Sequence, residues 1–163
     1  MGLPRWVEVA KQYDGVAEIP GLVNSNPVIV RFWKLARLSG IKNDHVPWCA
    51  GFACAVLEEA GIRSPRSDAA KSFLSWGARL PMAAAGCIVV FSRAGGHHVG
   101  FVLGKDKEGR LLVLGGNQGD AVNVRAFPLD RVAGYVWPPG EPVPALAALP
   151  VLSIDAAVST REA

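Results

Sequence analysis

The chain has 163 residues, a length that fits one domain of ordinary size. Half of the residues are hydrophobic, which is enough to build a buried core and excludes extended disorder for most of the chain. The net charge of +3 suits an anionic partner, but without a long Lys/Arg run it gives no indication of nucleic-acid binding.

The three cysteines, Cys49, Cys54 and Cys87, do not form a disulfide framework, because their number is odd and small. Residues 1–20 lack the apolar core of a secretory signal peptide, and no apolar run is long enough to span a membrane. We therefore expect a protein that is made in the cytoplasm, does not insert into a membrane and is a monomer.

Apolar residues in the first half of the chain recur at the three- and four-residue steps that are typical of helices. Asn26 and Pro27 fit the N-cap and the first residue of one of them. Four helices are predicted, over residues 3–13, 26–40, 47–61 and 67–76.

The helix predicted over residues 47–61 has Pro47 as its first residue, Gly61 as its stop and a thiol, Cys49, near its N-terminus. Unpaired N–H groups and the helix dipole favour negative charge there, so we expect Cys49 to be biased toward thiolate and to act as a nucleophile. The alternative is that Cys49 is a small buried hydrophobic residue. Trp48, next to it, is a candidate wall of a substrate cleft.

In the second half of the chain the pattern changes to short, β-branched segments bounded by turn-forming residues. Helices followed by antiparallel strands indicate an α+β domain, with the N-terminal helices packed on a C-terminal sheet of about five strands. A Pro- and Ala-rich tail, residues 139–163, follows the domain and is expected to be loose or docked on the surface, with a possible short helix at 154–159. The strands are predicted over residues 86–92, 98–104, 110–116, 121–127 and 134–137.

A register argument offers partners for the thiol. If residues 106–109 form a four-residue turn, His98 lies directly opposite Asn117, and facing residues of an antiparallel pair point to the same side. A histidine that accepts the thiol proton, oriented by an amide oxygen, is what a cysteine nucleophile requires. The same ladder places His97 opposite Gln118 on the other face, so two dyads are open. The small residues on the His98 face favour close approach of the helix and hence His98.

Two other interpretations of these residues stay open. Either histidine can be a strand-end residue that is bonded to backbone and has no chemical role. His45, His97, His98 and Cys49 can also be combined into a zinc site, but they lack the helical His-x-x-x-His spacing and a paired-cysteine knuckle, which disfavours a metal.

Four motifs in a fixed order resemble a known family: residues 48–52 (WCAGF), 86–91 (GCIVVF), 98–102 (HVGFV) and 114–118 (LGGNQ). Together they are similar to the papain-like peptidoglycan hydrolases, the cysteine peptidases and amidases of the NlpC and CHAP types. The most similar branch is a small one carried by phages and prophages. The resemblance covers roughly residues 6–138 and implies a papain-like catalytic domain over residues 1–138.

The resemblance implies a role for each matching residue. Cys49 matches the nucleophile, His98 the general base and Asn117 the orienting polar residue, and the Cys49 N–H matches part of an oxyanion hole. Asp44, which precedes the motif, is a candidate for substrate binding or for that hole. His97 and Gln118 are kept as substrate-binding candidates, with Trp48. No metal or organic cofactor is implied.

The function expected from the resemblance is hydrolysis of an amide bond in peptidoglycan, as an endopeptidase or as an N-acetylmuramoyl-L-alanine amidase. Such an enzyme suits a phage endolysin or a delivered lytic effector that reaches the periplasm or cell wall through a holin-like pore or by injection. Two alternatives are a non-catalytic wall-binding or virion structural module with the same fold, and a thiol peptidase or acyltransferase with a protein substrate.

Overall fold

The structure is a computed structural model that describes residues 2–21 and 23–162. Within those ranges the chain forms an α+β fold, in which three α-helices precede a six-stranded antiparallel sheet. The helices are α1 (Arg5–Lys11), α2 (Pro27–Leu35) and α3 (Cys49–Glu59), followed by a 3-10 helix at Ala70–Ser75. The strands are β1 (Ala78–Leu80), β2 (Ile88–Arg93), β3 (Gly96–Lys105), β4 (Leu111–Gly115), β5 (Asn123–Phe127) and β6 (Val132–Trp137), with a second 3-10 helix at Leu129–Arg131.

The predicted α+β class is confirmed, and each of the five predicted strands is present. The sheet order is β1-β6-β2-β3-β4-β5, so β5 is one edge and β1 the other. The sequence missed β1, because three residues with two exposed side chains are too few to show an alternating pattern. Strand β1 exists because it pairs with β6, where Arg79 lies opposite Val136.

Helix α2 begins as predicted and ends earlier than predicted. The Asn26 side chain accepts a hydrogen bond of 2.9 Å from the Val28 N–H, which caps the first turn ahead of Pro27. The helix stops at Leu35 and not at residues 39–40, because Arg37 adopts a left-handed φ of 64°. The Leu38 N–H then closes the turn on the Trp33 carbonyl at 2.7 Å.

Helix α3 is the central helix of the fold. Its N-cap is Trp48 and its first residue is Cys49, so the prediction that Pro47 is the first helical residue is wrong by two positions. Gly61 ends the segment with a φ of +81°, as predicted for a left-handed stop. Residues 49–57 are buried on every side, because α1 and α2 cover one flank of the helix and the sheet covers the other.

The other two predicted helices are shorter than expected. Helix α1 occupies Arg5–Lys11 and not residues 3–13, because Pro4 is its N-cap and a chain of turns follows. Residues 67–76 yield only the 3-10 helix Ala70–Ser75. Ser67, at the predicted start of this helix, instead closes a local turn in which its hydroxyl accepts from the Ala69 N–H at 3.1 Å.

The predicted register of β3 and β4 is correct where the strands approach the site. Val102 pairs with Val113 and Phe101 with Leu114, as the four-residue turn required. Nearer the turn the pairing differs by one residue, since Gly104 lies opposite Leu112 and not Leu111. A bulge between residues 102 and 104 absorbs the difference, so the error does not reach His98.

The tail docks on the sheet, and the possible helix at 154–159 is wrong. Lys105 donates its N–H to the Pro150 carbonyl at 2.9 Å, and further on Ala126 donates to the Ala157 carbonyl at 2.9 Å. Val158 forms a parallel bridge with Ala126, so the tail lies along the outer edge of β5. The backbone groups of an otherwise open edge strand are therefore partly paired. Among the described residues, no helix has both the length and the apolar character needed to cross a bilayer.

The approach of α3 to the loop after β4 depends on the absence of a side chain at Gly116. A Cβ atom there would lie 2.7 Å from the Trp48 ring and 2.8 Å from the Phe52 Cβ, both in the packed core. Gly116→Ala is therefore expected to lower the free energy of unfolding by about 2 kcal/mol, measured by urea denaturation. Gly40→Ala is the matched control, since nothing lies within 4 Å of its added Cβ and its φ is not positive. Equal stability of the two variants would contradict this packing.

Candidate active site

Cys49 lies at the floor of an open cleft. It is the first residue of α3 and is only 4% exposed. The cleft has a volume of about 520 Å³ and is lined on its other sides by Asp68, Lys71, Arg93 and His97, among others. Cys49 is therefore part of the cleft lining, whereas Cys54 and Cys87 are fully buried and do not line it.

The Cys49 thiol is protonated at neutral pH in this conformation. Burial raises its pKa above the usual 9.0, and this effect exceeds the opposing effect of nearby backbone N–H groups. Those N–H groups include Val99 on β3 and Ala50 at the helix start. The predicted bias toward thiolate is therefore wrong for the resting site, because desolvation is larger than the stabilisation supplied by the helix N-terminus.

The position of the thiol is defined by strand β3. On the β4 side, the pairing of β3 stops at Phe101, so the backbone N–H of Val99 lies beyond the β3–β4 ladder. That N–H is one of the groups that lower the pKa of the Cys49 thiol, which places the sulfur beside the residue that follows His98. Nδ1 is the ring nitrogen of His98 closer to the backbone, and no hydrogen bond joins it to the Cys49 Sγ in this conformation.

His98 is fully buried, and its ring lies nearly parallel to those of Phe127 and Phe91. It stacks on Phe127 with ring centroids 5.5 Å apart and lies 6.3 Å from Phe91, its partner across β2 and β3. Its Nε2 is 3.0 Å from the Gln118 Oε1. Burial lowers the pKa of His98 from 6.5 to about 4, partly offset by the Gln118 hydrogen bond and by Glu162. His98 is therefore neutral at pH 7.

The hydrogen bonds of Gln118 assign the His98 tautomer. The Gln118 Nε2 donates to the Val113 carbonyl at 3.2 Å and to the Asn123 carbonyl at 2.9 Å, so its Oε1 is the atom left to face the ring. An amide oxygen only accepts, so the neutral His98 carries its proton on Nε2. Its Nδ1 then has a free lone pair, and this atom is buried with no hydrogen-bond partner among the described residues.

Asn117 does not occupy the predicted place beside His98. Strand β4 ends at Gly115, and Asn117 adopts a left-handed φ of 60° that turns its side chain away from the ladder. The Asn117 Nδ2 instead donates to the Glu162 carbonyl at 2.6 Å. The next residue, Gln118, makes the bond that was expected of Asn117, and the predicted pairing of Gln118 with His97 is not formed.

His97 lies in a different environment from His98. It pairs with Ser92 on β2, is half-buried and lines the cleft together with Cys49. Its ring has no hydrogen-bond partner in the part of the chain that the structure describes. Helix α3 packs on this alternate face of β3, since the Phe52 ring is 6.5 Å from the Phe101 ring. The expectation that the helix covers the His98 face is therefore wrong, because Phe101, which Phe52 contacts, lies on the same face of β3 as His97.

Trp48 and Asp44 are structural in this conformation and line no part of the cleft. Trp48 is fully buried, packs on Gly116 and donates its Nε1–H to the Glu18 carboxylate at 2.9 Å. Asp44 is also fully buried, and its Oδ2 accepts from the N–H groups of Ile19 and Asn26, both at 2.9 Å. The predicted substrate contacts of both residues are therefore not available, because neither side chain is exposed.

The structure does not bring together the candidate zinc ligands Cys49, His45, His97 and His98. Within residues 2–21 and 23–162, the group whose donor atoms lie within 4.8 Å of one another is Glu18, Asp44 and His45. The Glu18 Oε2 already accepts from Trp48, and the Asp44 Oδ2 accepts from two backbone N–H groups. This cluster is therefore part of the hydrogen bonding that fixes Trp48 at the start of α3.

Sequence reasoning missed the aromatic stack around His98 and the charged pair beyond it. A two-residue turn at residues 94–95 sets the register that places Phe91 opposite His98, so this neighbour could have been found by the same counting as for β4. Phe127 stacks on Phe91 at 4.2 Å, and the Arg131 guanidinium lies 5.3 Å from the Phe127 ring centroid. Neither contact has a signal in the sequence.

No protein-family model matches the chain, and the comparison with curated proteins found no significant match. The resemblance to papain-like peptidoglycan hydrolases therefore rests on the four motifs in the sequence.

The protonation state of Cys49 can be tested with iodoacetamide. Because burial raises the pKa of the thiol, Cys49 should be alkylated at pH 7 at least about tenfold more slowly than free cysteine, and faster as the pH passes 9. Mass spectrometry of tryptic peptides reports the rate, with the fully buried Cys54 and Cys87 as internal controls. Fast labelling of Cys49 that is constant from pH 5 to 8 would instead reveal a thiolate–imidazolium pair.

Proposed function

We propose that this protein is a cysteine hydrolase that cleaves an amide bond in peptidoglycan, with Cys49 as nucleophile, His98 as general base and Gln118 as the residue that orients His98. The observation that carries the proposal is the buried His98 ring: its Nε2 is held by Gln118 and its Nδ1 is unpartnered, while the N–H of the next residue on β3, Val99, acts on the Cys49 thiol. A buried, oriented ring with a free basic nitrogen can accept the thiol proton once the Cys49 Sγ and the His98 Nδ1 come within hydrogen-bonding distance.

The reaction begins from a neutral pair. The His98 Nδ1 takes the proton of the Cys49 thiol as the sulfur attacks the carbonyl carbon of the scissile amide. The carbonyl oxygen becomes an oxyanion, which the Cys49 backbone N–H at the start of α3 can stabilise. His98 then returns the proton to the leaving amine as the C–N bond breaks, and a thioester forms. Water, deprotonated by His98, attacks the thioester and releases the acid and the free thiol.

Neutral reactants place a particular demand on this site. Proton transfer generates an imidazolium in surroundings that lower the pKa of His98 to about 4, so the charged intermediate needs stabilisation at the moment it forms. Gln118 supplies part of it, because its Oε1 accepts from Nε2–H more strongly when the ring is charged. A bound substrate that closes the cleft would place the dipole of its scissile carbonyl near the imidazolium.

The substrate class is inferred from the resemblance and from the charges of the cleft. Lys71, Arg93 and His97 line one cavity with Cys49, with Asp68 as the acidic member of the lining. Such a set suits a peptide that carries both carboxylates and an amine, as peptidoglycan stem peptides do. We propose a papain-like fold for the domain and cleavage within the stem peptide or between the glycan and its first residue. The enzyme would be an endolysin or a delivered lytic effector that acts at the cell wall.

A wall-binding module without turnover is the second candidate. It is favoured by one observation, the burial that keeps both Cys49 and His98 neutral and leaves the thiol only 4% exposed. A cleft of about 520 Å³ beside the thiol could then hold a peptide without cleaving it. The two candidates differ in whether new amines appear when the protein is incubated with cell walls.

Removal of the Cys49 sulfur tests the mechanism. Cys49→Ala is expected to lower the release of peptide fragments from purified cell walls by about 10³-fold or more, because no thioester can form. Cys54→Ala is the matched control from the same helix and should remain active, since Cys54 does not line the cleft and its Sγ donates to the Ser67 carbonyl at 3.7 Å. Product mass spectrometry identifies the cleaved bond and separates a wall hydrolase from a peptidase with a protein substrate. Equal product release by Cys49→Ala and wild type would exclude the mechanism.

The choice between the two histidines is tested by kinetics and pH. His98→Ala should lower kcat about 10²-fold to 10⁴-fold, the range for loss of a general base, whereas His97→Ala should act mainly on KM. Because burial lowers the pKa of His98 to about 4, kcat/KM of the wild type should stay level as pH falls from 7 and decline near pH 4. A larger kcat loss in His97→Ala than in His98→Ala would assign the base to His97.

A further inference from the structure

The tail ends at the back of the active site. Its residues 157–159 lie along β5, where Ser159 donates its N–H to the Ala126 carbonyl at 2.9 Å. The chain then reaches the loop that carries Gln118: Gly119 donates to the Arg161 carbonyl at 2.8 Å, and Asn117 donates to the Glu162 carbonyl at 2.6 Å. The loop that orients His98 is thus bonded on its outer side by the last residues of the described chain.

The Gln118 loop needs external support. Asn117, Gly119 and Asp120 have φ values of 60°, 63° and 64°, and for the two non-glycine residues this left-handed conformation is strained by about 1 kcal/mol or more each. Strained residues persist where the surroundings determine them. The tail provides those surroundings through its two backbone acceptors and through an ion pair of 2.7 Å between Arg161 and Asp120.

The tail also supplies a buried negative charge close to the groups that surround His98. Glu162 is 5% exposed, and its carboxylate forms an ion pair with Arg131 and accepts from the Ser159 hydroxyl at 2.6 Å. The Arg131 guanidinium in turn lies 5.8 Å from the Phe91 ring centroid and 5.3 Å from that of Phe127, the two rings that lie nearly parallel to the His98 ring. Glu162 therefore contacts Arg131, Arg131 lies against Phe91 and Phe127, and these two rings lie against the imidazole of His98.

Three charged groups face His98 from the elements packed around it. Arg131, between β5 and β6, and Arg93, at the end of β2, oppose a positive ring, whereas Glu162 on the tail favours it. Gln118 adds an acceptor on the loop. Of these groups, Glu162 is the anion, and it is the one that the tail supplies.

We propose that Glu162 is a positioning residue of the active site, and that the tail segment 157–162 completes the site by neutralising Arg131 and fixing the loop that holds Gln118 on His98. Its catalytic consequence rests on the proposed function, because Glu162 then acts through Arg131 and Gln118 on the imidazolium that forms during proton transfer. Without the carboxylate, Arg131 is left as an unbalanced cation beside that ring.

The experiment measures the pKa of His98 by NMR in three full-length variants, with the signal assigned from its absence in His98→Gln. Glu162→Gln should move the His98 pKa below its value of about 4 in the wild type, and Arg131→Gln should move it above that value. The double variant should return it toward the wild type. Shifts of opposite sign identify an electrostatic role, since structural damage would expose the ring and raise the pKa in all three variants. Shifts of equal sign, or no shifts, would overturn the proposal.

Kinetics on cell walls provide the second readout. Glu162→Gln should lower kcat about tenfold, the factor that corresponds to one pKa unit of imidazolium stability, with KM unchanged and the double variant partly restored. Glu141→Gln is the matched control, because it removes the carboxylate of another arginine pair, with Arg5, that does not contact the site. A loss of kcat equal in Glu162→Gln and Glu141→Gln would contradict the proposal. The NMR result does not depend on turnover, so it is decisive even if Cys49→Ala shows that the proposed hydrolysis is wrong.

Discussion

The hydrogen bond between the His98 Nε2 and the Gln118 Oε1 is the constraint on which the proposed chemistry depends. It fixes the plane of the ring, selects the tautomer and leaves Nδ1 as the basic atom. The bond is itself over-determined, because Val113 and Asn123 accept from the Gln118 amide and prevent it from rotating. The geometry of the site is thus set by contacts within the sheet and its loop, and it exists before a substrate arrives.

Burial decides the charges of Cys49 and His98, the two residues that we propose to react. A helix N-terminus stabilises an anion by about 0.3–1 kcal/mol at the surface, whereas each pKa unit corresponds to about 1.4 kcal/mol. The environment of His98 lowers its pKa from 6.5 to about 4, and the same desolvation raises the pKa of the Cys49 thiol. A thiolate–imidazolium ion pair in the resting site would need an attraction larger than the desolvation penalties of both residues. The neutral pair follows, and so does the need for charge stabilisation that appears only during the reaction.

Much of the fold was predictable from the sequence, since it rests on local signals. Asn26 and Pro27 mark the start of α2 and Gly61 marks the end of α3, because caps and stops are properties of a few adjacent residues. The hairpin arithmetic placed the β3–β4 register correctly at Val102 and Val113, despite the bulge near the turn. The burial of Trp48 and Asp44 could not be predicted in this way, because it depends on the loop around Glu18 and Ile19 folding over them.

Counting residues along the paired strands could not identify Gln118 as the residue that bonds the His98 ring. Counting along an ideal ladder leads from His98 to Asn117, but β4 ends at Gly115 and the chain leaves the ladder before that position. A left-handed Asn117 then moves Gln118 into hydrogen-bonding distance of the ring. The bond that Asn117 makes in this conformation goes to a tail residue 45 positions away in the sequence. Strand pairing therefore predicts which residues lie near His98. The side chain that bonds the ring depends on a long-range contact, which no local sequence pattern encodes.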